Sequence, residues 1–174
     1  LQPLTLAINM STSLHFDSSE FPYSVLSRLH EPGNKPARYR VRQACLEVSS
    51  NAASITQTTI GAPGFGLLGL VLPAAEYLAL TGQPFVRPPQ PGPAPANGVR
   101  QWQEGWAQYN LLLQVDTALR NQLLKAADDI YWRPLFQRVT GYGRQTALDF
   151  VQHIKGHYAE FDEAVRASTT ATMD

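Results

Sequence analysis

The chain has 174 residues, with fourteen lysine and arginine side chains balanced by fourteen aspartates and glutamates, and one cysteine. This balance argues against binding of nucleic acid or an anionic membrane through overall charge, although a local patch stays compatible with it. Cys45, as the only cysteine, excludes an internal disulfide and a cysteine-based zinc site. It fits a reducing compartment, so we expect a cytoplasmic protein. The length of the chain is enough for one domain, or one domain with appendages. No apolar run in the sequence is long enough to span a bilayer, so no membrane partner is expected.

Residues 1–35 show no helical period and mix polar residues with isolated apolar ones, among them Phe16, Phe21 and Tyr23. This pattern predicts an extended N-terminal arm that packs either on its own domain or on a neighbouring molecule. Within the arm, FPYSVLSRLH could form a short helix from Pro22, because proline suits a first helical position.

The first predicted helix covers residues 36–58, where apolar side chains recur at steps of four and three and predict a core-facing stripe. Arg38, Arg40 and Arg42 lie mostly off this stripe, so we expect them on a solvated or partner-facing surface, with RNA contact as the less favoured alternative. Cys45 lies on the stripe and is expected to be a buried structural thiol rather than a reactive one. The stripe consists of Val41, Cys45, Val48, Ala52 and Ile55.

A glycine-rich segment follows, with three glycines between residues 61 and 66. A phosphate-binding loop would need lysine and serine or threonine leading into a helix, and these are missing, so we predict a turn. The apolar residues 67–72 could pair as a small strand. Residues 73–81 then predict a helix that Pro73 opens and Gly82 ends as a left-handed cap. The side chains expected to anchor this helix are Leu72, Tyr77, Leu78 and Leu80.

Six prolines lie in the twelve residues from Pro84 to Pro95. Proline lacks the amide donor and fixes its own torsion, so this stretch predicts an exposed, stiff connector between helices. The alternative is a docking site for a proline-reading partner.

The longest helical pattern runs through residues 99–131, where Trp102, Trp106, Tyr109 and Leu113 recur at steps of four, three and four. The pattern changes phase near Asp116, which predicts two helices, 99–114 and 117–131, the second capped by Asp116. A single bent helix is the open alternative.

Thr146 and Asp149 form a capping-box pattern that predicts a helix over residues 146–158. His153 and His157 have the spacing of metal ligands on a helix, but Ile154 stands where the metalloprotease motif has glutamate, so no metal is expected. Asp128 and Asp129 point about 100° apart on a helix and rarely share a ligand, so one of them is expected to cap the following turn.

An ordered set of motifs resembles the Gag-like proteins of copia-type retroelements, of the kind abundant in algae and other protists. The matching stretches are AEYLALTG, DTALRNQLL, DDIY and TALDFVQHI ending in a tyrosine, within residues 51–165. The resemblance implies a helical capsid protein that packs into a shell around element RNA and has no chemistry of its own. The second helical region and zinc knuckle usual in such proteins are missing here, so RNA binding would fall to regions outside this chain.

The sequence therefore predicts an all-α bundle of five to six helices with an extended N-terminal arm and a proline-rich loop. Its expected units are the arm (residues 1–35), a helical Gag or capsid N-terminal-like domain (36–168) and a tail (169–174). We expect Trp102, Trp106, Tyr109, Leu113, Leu119, Leu123, Ile130, Leu148, Val151 and Ile154 in the core.

The favoured function is a self-assembling capsid subunit whose partner is itself, with no catalytic residue, cofactor or metal. The alternatives are a domesticated Gag-derived subunit of another cellular complex and, least favoured, a small enzyme using His153, His157 and Asp128 or Asp129. Deleting residues 1–35 is expected to reduce assembly and to leave helicity intact. The expected assembly residues are Phe16, Phe21, Tyr23, Arg38, Arg40, Arg42, Pro88, Pro89 and Pro91.

Overall fold

The computed structural model describes residues 16–160, in which four α-helices and no strand are formed. An all-α fold is therefore confirmed, whereas the expected five to six helices are not. The helices are α1 (Arg38–Ala53), α2 (Ala74–Thr81), α3 (Val99–Ala126) and α4 (Ala147–Lys155), and a π-helical turn, Gly156–Glu160, continues α4. Residues 1–15, the last turn expected near Asp162 and the tail lie outside the described residues. None of the helices in residues 16–160 is both long and apolar enough to cross a membrane.

The prediction of two central helices is wrong, because α3 is one helix of 28 residues. Asp116 lies inside α3 and does not cap a new helix. Its Oδ1 atom accepts a hydrogen bond from the Ala147 amide (3.0 Å) at the start of α4. Burial raises the pKa of this carboxyl, while the Ala147 amide and the charges of Arg87 and Arg120 act in the opposite direction. The carboxylate thus joins α3 to α4 and leaves the backbone of α3 unbroken.

Only the C-terminal part of α3 enters the core, beginning at Leu111. Trp102, Trp106 and Tyr109 are half-buried, and Leu113 is 42% exposed, so the prediction for Leu113 is wrong. The helical period continues through both halves, but the buried residues of α3 all lie from Leu111 onward and include Val115, Leu119 and Leu123.

Helix α1 is shorter than the predicted 36–58. The chain leaves the helix after Ala53 and residues 61–67 fold back on this end, where the Leu67 amide donates to the Ala52 carbonyl (3.0 Å). Gly66 approaches so closely that a Cβ atom there would overlap the Ala53 carbonyl. The predicted stripe is buried, apart from Cys45, which is half-buried against the core.

Residues 67–72 do not form a strand. They contain a buried 3-10 turn, Leu68–Leu70, on which the ring of Phe85 rests at Gly69. Helix α2 ends at Gly82 with φ +76°, as predicted. Tyr77 anchors α2 and is fully buried, but Leu78 and Leu80 are about half exposed and do not. Residues 84–97 form neither helix nor strand.

The capping box that opens α4 is confirmed, with Thr146 and Asp149 each accepting from the other's backbone amide. Ile130, expected in the core, is 61% exposed because the chain leaves α3 at Ala126 and forms the 3-10 turn Asp129–Tyr131. Trp132 takes its place in the core, fully buried and 5.0 Å from the ring of Phe150. Leu119, Leu123, Val151 and Ile154 are buried as predicted, whereas Leu148 is only half-buried.

Candidate interaction surface

The described part of the arm, residues 16–35, packs on its own chain and forms no α-helix, so the helix suggested from Pro22 is absent there. Phe16 and Phe21, expected in assembly contacts, are 6% and 4% exposed, with ring centroids 4.7 Å apart. Leu26 and Leu29 are also buried. These apolar side chains supply the core of their own chain.

A buried polar network around Tyr23 fastens the arm to α1 and α3. Asn51 accepts from the Tyr23 amide and donates to the Tyr23 carbonyl, both at 2.9 Å. It also donates to Oε1 of Gln122 (2.9 Å), and the amide nitrogen of Gln122 donates to the carbonyls of Tyr23 and Ser24. Both side-chain amides are buried and every one of their hydrogens has an acceptor. The path of the arm is therefore fixed.

Further along the arm, Ser27 meets the buried carboxylate of Glu47. Ser27 donates its amide to Oε1 (2.9 Å) and its hydroxyl to Oε2 (2.6 Å), and Gln43 donates to Oε2 (3.0 Å). These three donors compensate for burial of the carboxylate. Because Tyr23 meets Asn51 and Ser27 meets Glu47, the arm runs antiparallel to α1.

The next arm residues cap the C-terminus of α3, whose last carbonyls lack partners within the helix. The Leu29 amide donates to the Ala126 carbonyl (2.9 Å) and the Arg28 guanidinium to the Lys125 carbonyl (2.7 Å). His30 is buried, with Nδ1 donating to the Glu31 carbonyl (2.9 Å) and Nε2 accepting from the Asp128 amide (3.0 Å). The arm thus provides hydrogen-bond donors for the last carbonyls of α3.

With its inner side covered by the core and one flank by the arm, α1 exposes an outward face of Tyr39, Arg42, Gln43 and Leu46. Tyr39 is 70% exposed and Leu46 is 61% exposed. They are seven residues apart, which is close to two helical turns, so they lie on the same side of α1. On the arm, Val25 is 82% exposed. This face of α1, with Val25 and Tyr23 on the flanking arm, is the candidate interaction surface.

The predicted arginines differ in their placement around this surface. Arg40 forms an ion pair with Glu31 (2.9 Å) and lies 5.8 Å from the centre of the Tyr39 ring. Its pKa is raised, chiefly by the hydrogen bond to the Tyr39 hydroxyl. Arg42 is exposed on the outward face, and Arg38 is half-buried at the start of α1.

The proline-rich segment contacts a different element, the N-terminal half of α3. Trp102 donates its indole hydrogen to the Gly92 carbonyl (2.8 Å), and Pro91 lies beside Gly105. Pro88 and Pro91 are half-buried and Pro89 is exposed. The structure brings Tyr23 together with α1 and does not place the prolines with them.

The histidines and aspartates considered for chemistry are engaged in separate structural contacts. His153 donates from Nε2 to the Tyr131 carbonyl (2.8 Å), and His157 lies with its ring 4.4 Å from that of His153. Asp128 pairs with Arg28 (3.0 Å), and Asp129 accepts from the Tyr142 hydroxyl (2.8 Å). Asp128 precedes the 3-10 turn that follows α3, but its side chain does not cap that turn. Within residues 16–160, no three histidine, cysteine or acidic side chains gather as a metal site would require.

A protruding turn, which we call the 137–141 loop, lies between the 3-10 turns that follow α3 and the start of α4. Gln137 and Gly141 exchange backbone hydrogen bonds of 2.9 and 2.7 Å, and Val139 at the tip is 94% exposed. The flanking rings of Phe136 and Tyr142 are in edge contact, with centroids 5.2 Å apart. Burial and the hydrogen bond to Asp129 raise the pKa of Tyr142 to about 12, and the charge of Arg133 opposes this shift.

Sequence reasoning missed a groove between the start of the described arm and the middle of α3. Its volume is about 520 Å³, and Phe16, Asp17, Leu113 and Thr117 are among the residues that line it. The Phe16 amide donates to Oε1 of Gln114 (3.1 Å), which holds the arm at the rim. No sequence signal could have found this groove, because its two sides are about a hundred residues apart in the chain.

Comparison with known proteins gives no match to any family model, curated protein or solved structure.

Proposed function

We propose that this chain is a structural subunit that self-associates, and that it serves as a Gag-like capsid subunit of a retroelement. The capsid identity rests on the resemblance of its motifs to copia-type Gag-like proteins. The observation that supports self-association is the outward face of α1, where Tyr39 and Leu46 are largely exposed on one side of a rigid helix.

Burial of a large apolar side chain contributes about 1.5–3 kcal/mol, so a partner that covers both Tyr39 and Leu46 gains several kcal/mol. Association costs at least as much in lost translational and rotational freedom. Helix α1 has 16 residues and is only about 24 Å long, so the face is small for a stable dimer. A contact of this size is weak alone and becomes effective when many copies make it together, as in a shell.

The arm makes this surface rigid. The hydrogen bonds of Asn51 and Glu47 hold the backbone of Tyr23 and Ser27 beside α1, so this part of the arm needs no further backbone ordering when a second copy binds. Preorganisation lowers the entropic cost of a weak contact. The paired charges of Arg40 and Glu31 lie next to Tyr39 and favour a defined orientation of the partner.

The test compares Leu46→Glu with the matched control Leu80→Glu, because Leu80 is 56% exposed on α2, away from the proposed contact. Sedimentation and light scattering over a wide concentration range should show self-association of the wild type and the control, and association at least about tenfold weaker for Leu46→Glu. Electron microscopy of the wild type at high concentration should show closed particles or rings. Circular dichroism should show equal helicity in all three proteins.

A wild type that stays monomeric under every condition would overturn self-association. Binding to a foreign complex at a fixed stoichiometry would then identify a domesticated Gag-derived subunit. Equal association of Leu46→Glu and Leu80→Glu, with an associating wild type, would overturn the assignment of the contact to α1.

A further inference from the structure

We propose a second, head-to-tail contact in which the 137–141 loop of one copy enters the groove beside α3 of the next copy. This inference rests on the proposed self-association and names an additional pair of surfaces for it.

The loop projects from the surface with an apolar tip, and arginine side chains lie beside the tip and near the two ends of the loop. Val139 at its tip is the most exposed large apolar side chain in the described part of the protein, and the exposed Arg138 adjoins it. Arg133 and Arg144 are also exposed near the base of the loop. None of the three arginines has an ion pair with another described residue. An unpaired basic surface around an apolar tip suits an acidic, partly apolar cavity.

The residues that flank the loop are held by contacts with their own chain. Arg120 of α3 donates to the carbonyls of Gln145 (3.1 Å) and Gly143 (3.4 Å) just beyond the loop. The Phe136 ring contacts Tyr142, which in turn contacts the buried ring of Phe150 (5.6 Å). These contacts anchor both ends of the loop, and Val139 at its tip is 94% exposed.

The groove complements the loop in apolar character and charge. Leu113 and Ala118 contribute apolar surface at its floor on α3, and none of the lining residues within 16–160 carries a basic side chain. Asp17 lies at its rim, and the exposed Glu20 follows in the same 3-10 turn. An entering loop would place Val139 against the floor and bring Arg138 toward these carboxylates.

A chain does not place its own loop in its own groove. Val139 is 94% exposed, and no residue of the 137–141 loop is among the described residues that line the groove. Each copy therefore gives its loop to one neighbour and its groove to another, a heterologous contact that builds rings or chains. Together with the α1 contact, it would allow growth in more than one direction.

The test uses two full-length variants, each made in a Leu46→Glu background that removes the α1 contact. Val139→Asp disables the loop, and Thr117→Arg places a positive charge in the groove at an exposed helical position. The controls are Val86→Asp, at a valine that is 68% exposed elsewhere, and Gln103→Arg, about 21 Å before Thr117 along α3. Sedimentation is measured for each variant alone and for an equimolar mixture of the loop and groove variants.

The proposal predicts that the Leu46→Glu background retains weak association and that Val139→Asp and Thr117→Arg each weaken it at least about tenfold. The mixture should form a 1:1 complex that does not grow, because one variant supplies an intact groove and the other an intact loop. Both controls should associate like the background protein.

A monomeric Leu46→Glu background, with an associating wild type, would overturn this inference and leave the α1 contact in place. Loss of association on Thr117→Arg but not on Val139→Asp would assign the groove to another segment and would also overturn it. An unchanged Leu46→Glu together with a monomeric Val139→Asp would support the loop contact and refute the α1 contact.

Discussion

At the scale of single residues, buried polar groups decide where the arm lies. Asn51 and Gln122 look like ordinary helix-surface residues in the sequence, yet both are buried and bind the backbone of Tyr23 and Ser24. Their amides replace the water that an irregular segment would otherwise need. These two side chains thus hold Tyr23 and Ser24, which lie outside any helix or strand.

Substitution of Asn51 by Ala should destabilise the fold by about 2–4 kcal/mol, because the amide and carbonyl of Tyr23 and Oε1 of Gln122 each lose a hydrogen bond in a buried place. Urea unfolding followed by circular dichroism measures this loss. Asn110→Ala, at an exposed position of α3, is the control and should change stability by less than about 0.5 kcal/mol. Equal effects of the two substitutions would contradict the role given to the network.

His153 should make the fold sensitive to mild acid. Burial lowers the pKa of its imidazole, and the neighbouring His157 lowers it further, against the effect of the Tyr131 carbonyl. The folded state therefore holds this proton less tightly than the unfolded state, so stability should fall as the pH drops below about 6.5. Glutamine at this position keeps a donor for the Tyr131 carbonyl and cannot titrate.

The urea midpoint, measured at about pH 7.5 and about pH 5.5, should fall less for His153→Gln than for the wild type. His157→Gln, at an exposed position, should keep most of the wild-type change. A wild-type pH dependence that survives intact in His153→Gln would show that another group is responsible.

At the scale of elements, close approaches between loops and helices set boundaries that periodicity does not reveal. Helix α1 ends where residues 61–67 return to its C-terminus, and the 3-10 turn Leu68–Leu70 passes beneath Phe85. Phe85 also contacts the buried Tyr77 ring edge-on at 5.3 Å. The start of the proline-rich segment is thereby joined to α2.

Substitution of Gly69 by Ala should destabilise the protein by about 1–3 kcal/mol, because the added Cβ would overlap the Phe85 ring and force it away from Tyr77. Thermal unfolding is the measurement. Gly92→Ala is the control, since a Cβ at Gly92 would meet no atom within 4 Å. If Gly69→Ala melts at the wild-type temperature, Phe85 does not hold this turn.

At the scale of the whole molecule, residues 16–35 belong to the core, although the sequence suggests a detachable arm. Phe16, Phe21, Leu26, Leu29 and His30 are all buried, and the same segment caps α3. We therefore no longer expect a chain without residues 1–35 to keep its helicity.

A chain lacking residues 1–35 should lose cooperative unfolding and much of its helical circular dichroism, because five buried side chains and the cap of α3 are removed together. A chain lacking only residues 1–15 retains every contact described here, so it should unfold cooperatively. Circular dichroism and thermal unfolding of both chains provide the test. A cooperatively folded chain without residues 1–35 would contradict the core role of the arm.

Local chemistry in the sequence determined several features of this protein. The end of α2 at Gly82 and the capping box of Thr146 and Asp149 each depend on residues within one or two helical turns. The helical class and the apolar stripe of α1 depend on a period that repeats over about four turns. Such features follow from backbone torsions and nearby hydrogen bonds, which a short window of sequence specifies.

Only the tertiary structure decided which parts of these elements are covered. Leu113 and Ile130 follow a helical period yet are exposed, while Trp132 and the arm's apolar side chains are buried. Periodicity identifies an apolar face but not the partner that covers it, and that partner lies far along the chain. The groove joins residues 16–18 to residues 113–121, and the outward face of α1 is defined by what the arm and core leave uncovered. These surfaces depend on long-range packing, which no local pattern contains.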